Sequence, residues 1–211
     1  MAEEKASFKE ALDAAILSFR CAPDTDIETF LHCKAITFYK SKLCSVYLLL
    51  NEEQLNNGKL QIDAYFTLSH KNIRSSEVDA TNKTLGKITG GYRKKEILEF
   101  VLIGQLGKHI EELPDGSLCT ADISGKEILD KAFEIMQLAS LLIPSRCALI
   151  ECSDEPKVRK IYEDYKFTFL QRDNIHNQYY KVFCSRLIVR RLLVLKIQCQ
   201  TISHMSLKFA I

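Results

Sequence analysis

Two tyrosines three residues apart, Tyr162 and Tyr165, lie in the run Ile161-Tyr162-Glu163-Asp164-Tyr165-Lys166-Phe167. A phenol can give its proton to a departing thiolate or amine. On a helix this spacing points both rings the same way. Either ring can also simply pack between helix and sheet. Upstream, Ser124-Gly125-Lys126-Glu127 falls where a loop opens a helix. Backbone N–H groups at a helix start carry partial positive charge and attract phosphates. Glycine lets a ligand approach closely, and Lys126 adds a cation. The same residues read equally as an ordinary cap with Asp122 or Ser124 at the N-cap. The loop is neither a Walker motif nor a G-x-G-x-x-G fingerprint. Glu99 and Glu151 sit at or within apolar runs. Beside a cleft, a carboxylate of raised pKa would suit a general base; on a solvent-facing strand it would not. His109 is a third candidate base, and the other four histidines are scattered.

These residues need elements to position them. Phe8 to Phe19 has helix-like spacing, although Ile16 to Cys21 reads equally as a first strand. Asp24-Thr25-Asp26 is a capping signal. It precedes a helical face of Ile27, Phe30, Leu31, Ala35 and Phe38. Val46 to Leu50 reads as a buried strand and Leu60 to Leu68 as its hairpin partner across the polar stretch Asn51 to Gly58. Ser75 to Lys95 reads as an irregular excursion. Glu99 to Leu106 is an apolar strand, followed by a turn-rich loop over Glu111 to Cys119. Ile128, Leu129, Ala132, Phe133, Ile135, Met136, Ala139 and Leu142 mark a long amphipathic helix stopping near Pro144. The strand Cys147 to Cys152 follows. A short helix then starts at Pro156, where the missing N–H costs nothing. A final strand pair, Phe167 to Leu170 and Tyr179 to Cys184, turns around Asp173-Asn174. The expected order, taking Ile16 to Cys21 as a strand, is β, α, β, β, β, α, β, α, β, β.

At 211 residues, 46% hydrophobic and 27% charged, the chain suits one α/β domain. A net charge of +2 supplies no global field for nucleic acid. The eight cysteines include no C-x-x-C pair, so neither a zinc ribbon nor a thioredoxin-like site is expected, and no metal. The acidic start lacks an apolar leader, and no apolar run reaches membrane-spanning length. A cytoplasmic protein with buried free thiols is the expectation.

The order of elements together with the tyrosine segment resembles the GNAT superfamily of acyl-CoA N-acyltransferases, over about Ile16 to Cys184. The resemblance implies a mixed, mostly antiparallel, splayed sheet flanked by helices. It implies acetyl-CoA as co-substrate, with Leu106, Gly107 and Lys108 pairing their backbone with the pantetheine arm. It implies that Asp122, Ile123, Ser124, Gly125 and Lys126 cradle the pyrophosphate. Tyr162 matches the family tyrosine that protonates the CoA thiolate, and Glu99 and Glu151 become candidate bases. Three departures stand out. Thr120, Ile123 and Gly125 occupy the positions of the Q/R-x-x-G-x-G/A loop, so only the last agrees. Lys166-Phe167 stands where the family has Gly-Phe. The loop before the long helix is extended.

The implied activity is acetyl transfer to a primary amine by direct attack. The acceptor would be a small molecule, a peptide amine or a tRNA-linked amine. A toxin acting on aminoacyl-tRNA is an alternative, with Lys71, Arg74, Arg93, Lys94 and Lys95 as the cations available to an acceptor stem. A non-catalytic CoA-binding module is another. Residues 1–185 form the expected domain. The tail, 186–211, mixes cations with apolar residues. It reads as a strand extension or homodimer contact, or as a basic amphipathic helix on a membrane or partner.

Overall fold

The computed structural model describes residues 2–183, apart from 79, 93, 94, 144, 154 and 174–177. The expected helix stop at Pro144, the turn residue Asn174, the strand end Cys184, the tail 186–211, and Arg93 and Lys94 lie outside the described residues.

The chain divides into two compact units. One holds the described residues up to Thr67 together with Gln105–Ile128. The other holds Leu68–Gly104 and the described chain from Leu129 on.

The first unit opens with helix α1, Ala2–Ser18. The expected first strand is therefore helical up to Ser18. Beyond it, Ala22 N–H donates to Ile110 O at 2.9 Å, and Ile110 N–H donates to Arg20 O at the same distance. This leaves an isolated bridge at Cys21. Pro23 has no N–H with which to extend it. Asp24 caps α2, Thr25–Cys33, by accepting from the N–H groups of Asp26 and Ile27, as its position in the sequence predicts. The expected single helix is broken at Lys34 into α2 and α3, Ala35–Lys40.

Strand β1 spans Ser45–Leu50, and β2 spans Ile62–Arg74. Between them lies helix α4, Glu52–Asn56, rather than a plain turn. Asn51 caps it, its side-chain oxygen accepting from Gln54 N–H. A core of Ile16, Phe19, Leu31, Ala35, Val46, Ile62 and Tyr65 holds the unit together.

In the second unit, a 3-10 turn, Ser75–Glu77, and helix α5, Asn82–Thr89, replace the expected irregular excursion. Thr81 caps α5, and Gly90, at φ +67°, closes it in the left-handed conformation. Strand β3, Ile97–Lys108, carries the chain back into the first unit. There the expected loop forms a short hairpin, β4, Ile110–Glu112, with β5, Leu118–Thr120. Helix α6, Gly125–Ser140, follows. It buries Ile128, Leu129, Ala132, Phe133 and Met136, while Leu142 lies beyond its end and is exposed.

Strand β6, Ala148–Ser153, runs parallel to β3, with Val101 opposite Ala148 and Ile103 opposite Ile150. Helix α7, Pro156–Asp164, and the antiparallel pair β7, Thr168–Asp173, and β8, Gln178–Phe183, complete the chain. The strand order is β1-β2-β3-β6-β8-β7. The pairs His109 N–H to Asp63 O and Gln105 N–H to Thr67 Oγ1 count in opposite directions, so β2 and β3 are antiparallel. Leu98, Phe100, Cys147, Leu149 and Leu170 centre the second unit's core.

Candidate functional site

In the first unit, the end of β3 is shaped by close approach of helix α2. Gly107 is buried, and a Cβ there would lie 2.3 Å from Ile27 Cγ2 and 3.2 Å from the Tyr65 ring. Tyr65 donates to Ile27 O at 2.6 Å, which pins α2 at that height. Glycine at 107 is therefore required by packing, whatever else its backbone does. Leu106 and Lys108 on either side are half-buried. Gln105 N–H donates to the hydroxyl of buried Thr67 at 2.9 Å rather than to a carbonyl.

His109 is held as a structural acceptor. Its Nδ1 takes the Arg20 N–H at 3.1 Å, and its ring meets Phe19 edge-on. A proton on Nδ1 would break that bond, so His109 fits poorly as a base at this nitrogen. Burial raises the pKa of nearby Asp63, partly offset by hydrogen bonds from Asn51 and Gln61.

The loop at 122–126 is an internal cap in the conformation seen. Glu127 Oε2 accepts from Ser124 N–H and from Ser124 Oγ, both at 2.7 Å. Ser124 Oγ accepts from Glu127 N–H at 3.2 Å. This is a reciprocal capping box, and its S-x-x-E signature is legible in Ser124-Gly125-Lys126-Glu127. The Ser124 N–H that a pyrophosphate would take is bound to a carboxylate. An incoming phosphate fits here only if Glu127 swings away. Asp122, Ser124 and Lys126 are exposed; Ile123 and Gly125 are half-buried.

In the second unit, the two tyrosines have different fates. The Tyr165 ring stacks on Phe133 at 5.3 Å, and its hydroxyl donates to Asp130 Oδ1 at 2.6 Å. The Tyr162 ring meets Phe167 edge-on at 5.6 Å. Among the described residues its hydroxyl has no hydrogen-bond partner. Burial pushes the Tyr162 pKa well above the ordinary tyrosine value, with the nearby Cys152 thiol adding to it. The phenol therefore keeps its proton at neutral pH. Tyr165 is also raised, first by burial and then by Asp130.

The turn that ends α7 keeps a glycine's geometry without the glycine. Lys166 has φ +74°. Phe167 N–H donates to Tyr162 O at 2.9 Å, and Lys166 N–H to Glu163 O. This closes the helix as a left-handed residue at that point does.

The two carboxylates differ as well. Glu99 is exposed and paired with Lys95. That hydrogen-bonded ammonium lowers its pKa, the opposite of what a base near neutrality needs. Glu151 lies on β6 with Oε1 sealed from solvent and 2.9 Å from Lys71 Nζ. The contact satisfies ion-pair distance but not hydrogen-bond angles, so charge rather than a directed bond holds this oxygen. Among the described residues, no cluster of three or more His, Cys, Asp or Glu side chains is placed to hold a metal, and no helix is long and apolar enough to cross a membrane.

The mixed, mostly antiparallel sheet with its single observed parallel pair, β3 with β6, flanked by α6 and α7, is the GNAT acyltransferase fold. Among solved structures, the chain is similar to AtaT complexed with acetyl-methionyl-tRNA, at TM-score 0.58 and 17% identity, over 80% of this chain and 86% of that one. It is similar to a bacterial toxin at 0.59 and 14%, over 88% and 89%. It is also similar to a tyrosine-to-phenylalanine variant of KacT at 0.58 and 15%, over 78% and 85%. No protein-family model and no curated protein matches the sequence.

Proposed function

We propose that the chain is an acetyl-CoA-dependent N-acetyltransferase acting by direct attack. The observation that carries this reading is the Tyr162 phenol on α7. It stays protonated through burial and has no hydrogen-bond partner among the described residues, whereas its neighbour Tyr165 is committed to Asp130. A phenol whose hydroxyl is not engaged elsewhere can turn to a departing group, although burial makes it a weaker acid than a free phenol.

In the proposed reaction the acceptor nitrogen bonds to the thioester carbonyl carbon and the C–S bond breaks. Tyr162 protonates the departing sulfur, and the amine's surplus proton passes to a carboxylate. Glu151 suits that last role better than Glu99, because one Glu151 oxygen is shielded from solvent whereas Glu99 is exposed. Backbone groups of Leu106, Gly107 and Lys108 would pair with the pantetheine arm and polarise the carbonyl. Residues Asp122 to Lys126 would take the pyrophosphate once Glu127 leaves the cap. Residues 1–185 would supply everything the reaction needs.

Titration calorimetry with acetyl-CoA, followed by thiol release with a panel of amines, tests this. Binding and turnover are expected. No binding at millimolar cofactor would overturn the reading, and binding without any thiol release would leave a CoA-binding module instead.

A second reading, that the acceptor is the amine of an aminoacyl-tRNA, draws support from the similar AtaT structure, which holds acetyl-methionyl-tRNA. Of the cations considered for an acceptor stem, Lys71 and Lys95 are ion-paired, and Arg74 is exposed. Growth arrest on expression, relieved by Tyr162→Phe, is the expected result. Normal growth with well-expressed protein would count against it.

A further inference from the structure

The second unit contains an open cavity of about 410 Å³ whose walls include none of the cofactor residues and not Tyr162. Its apolar side is made by Ile88, Leu98 and Phe100, all buried at no more than 5% exposure. Its polar side draws on three separate elements: His70 from β2, Lys95 before β3, and Arg146 before β6. A space of this volume accommodates a small organic molecule.

Arg146 is the informative member. Its guanidinium carbon lies 2.8 Å from where a Cβ on Gly90 would stand, and Nη1 lies 2.9 Å from the same point. A Cβ at position 90 would press on the far end of the arginine side chain, which would have to turn aside. Gly90 is also the left-handed cap of α5. Among the described residues, the guanidinium has neither an ion-pair nor a hydrogen-bond partner. Arg146 is solvent-exposed, and its guanidinium offers the cavity a planar fork of donors not committed to another described group, which suits bidentate phosphate recognition. Lys95, on the same wall, is balanced by Glu99, so Arg146 supplies the uncompensated charge.

We propose that this cavity is a binding site for a phosphate monoester with an apolar body. The phosphate meets Arg146, with His70 and Lys95 as flanking donors, and the body lies on Ile88, Leu98 and Phe100. The proposal goes beyond acetyl transfer and does not depend on it.

The probe is phenyl phosphate, titrated calorimetrically into the full chain. Phenol and inorganic phosphate serve as half-ligands. Binding in the sub-millimolar range, on the order of 5 kcal/mol, is expected for phenyl phosphate. Each half-ligand should bind at least about ten-fold more weakly, a difference of about 1.4 kcal/mol. Arg146→Gln should weaken phenyl phosphate about ten-fold or more, and added salt should weaken it further. Gly90→Ala, which displaces the guanidinium from its present position, should weaken binding less than Arg146→Gln does, with circular dichroism checking the fold. Should either variant fail to fold, Lys95→Gln at the exposed rim replaces it, with a smaller loss expected. Saturating acetyl-CoA should leave phenyl phosphate binding unchanged. Unaltered affinity in the folded variants, phenol binding as tightly as phenyl phosphate, or displacement by acetyl-CoA would each overturn the proposal. Absence of binding at about 10 mM phenyl phosphate, equivalent to under 3 kcal/mol, would do the same.

Discussion

The start of α6 and the end of α7 are two helix termini that invite comparison with the same family motifs, and they depart in opposite ways. At the start of α6, Gly125 matches the phosphate-loop pattern in type. Locally, though, the chain has built a self-contained cap in which Glu127 occupies the donors. At the end of α7, the expected glycine is absent. Yet Lys166 takes the left-handed backbone at φ +74°, and Phe167 N–H still closes on Tyr162 O. A letter can match while the geometry is otherwise engaged, and a geometry can persist after its letter is lost. What decides is which hydrogen bonds the neighbouring residues offer.

The largest test of this contrast is at α7. Tyr162→Phe should leave acetyl-CoA affinity within about two-fold and lower turnover by about 10²–10⁴, the range of a general acid. The matching Tyr165→Phe should change turnover little and instead lose the bond to Asp130, costing about 1–3 kcal/mol of stability in urea unfolding. Equal turnover losses from both would erase the distinction between the two tyrosines.

Next in size, Gly107→Ala should cost about 1–3 kcal/mol, because its Cβ would stand 2.3 Å from Ile27. The companion Ile27→Ala should recover part of that in the double variant, as residues in contact couple. Additive losses would show that the clash is absorbed elsewhere.

At α6, Glu127→Ala should lower stability by about 0.5–2 kcal/mol through loss of the capping partner. It should also tighten acetyl-CoA binding, since it removes a competing anion. Weaker binding would mean that Glu127 is not in competition with the cofactor. The smallest effect is at Lys166. Lys166→Gly should add about 0.5–1 kcal/mol by relieving the left-handed strain. A loss there would mean that the lysine side chain contributes more than its backbone costs.

The tyrosines also set a pH dependence. Tyr65 and Tyr162 have folded pKa values raised above the ordinary value of 10, both chiefly by burial. Protons held more tightly in the folded chain contribute stability that is complete below the unfolded pKa. It is lost as pH rises past about 10 toward the folded values. Denaturant midpoints should therefore be flat in this respect from pH 6 to 9 and should fall above about pH 10. Tyr65→Phe should reduce that alkaline fall.

Much was legible in the sequence because it was local. Asp24 announced its cap, Pro156 its helix start, and the spacing of Ile128, Leu129, Ala132, Phe133 and Met136 the buried face of α6. Runs of apolar residues placed β1, β3 and β6. Thr81 with Gly90 bracketed α5, and Ser124 with Glu127 spelled the capping box, although glycine content at the first and a family likeness at the second suggested other readings. By itself, then, the sequence determined the order of most elements. Three matters depended on tertiary structure. Ile16 to Ser18 became helix rather than strand because the chain beyond found only one partner, Ile110, before Pro23. Glu99 became a solvated ion pair, while Glu151 became a shielded carboxylate beside Lys71. The hydroxyls of Tyr162 and Tyr165 were separated in role because Asp130, 35 residues away, reaches only the second. Helix caps and periodicity act over a few residues and are written in the chain, whereas burial and charge pairing depend on residues that only folding brings together.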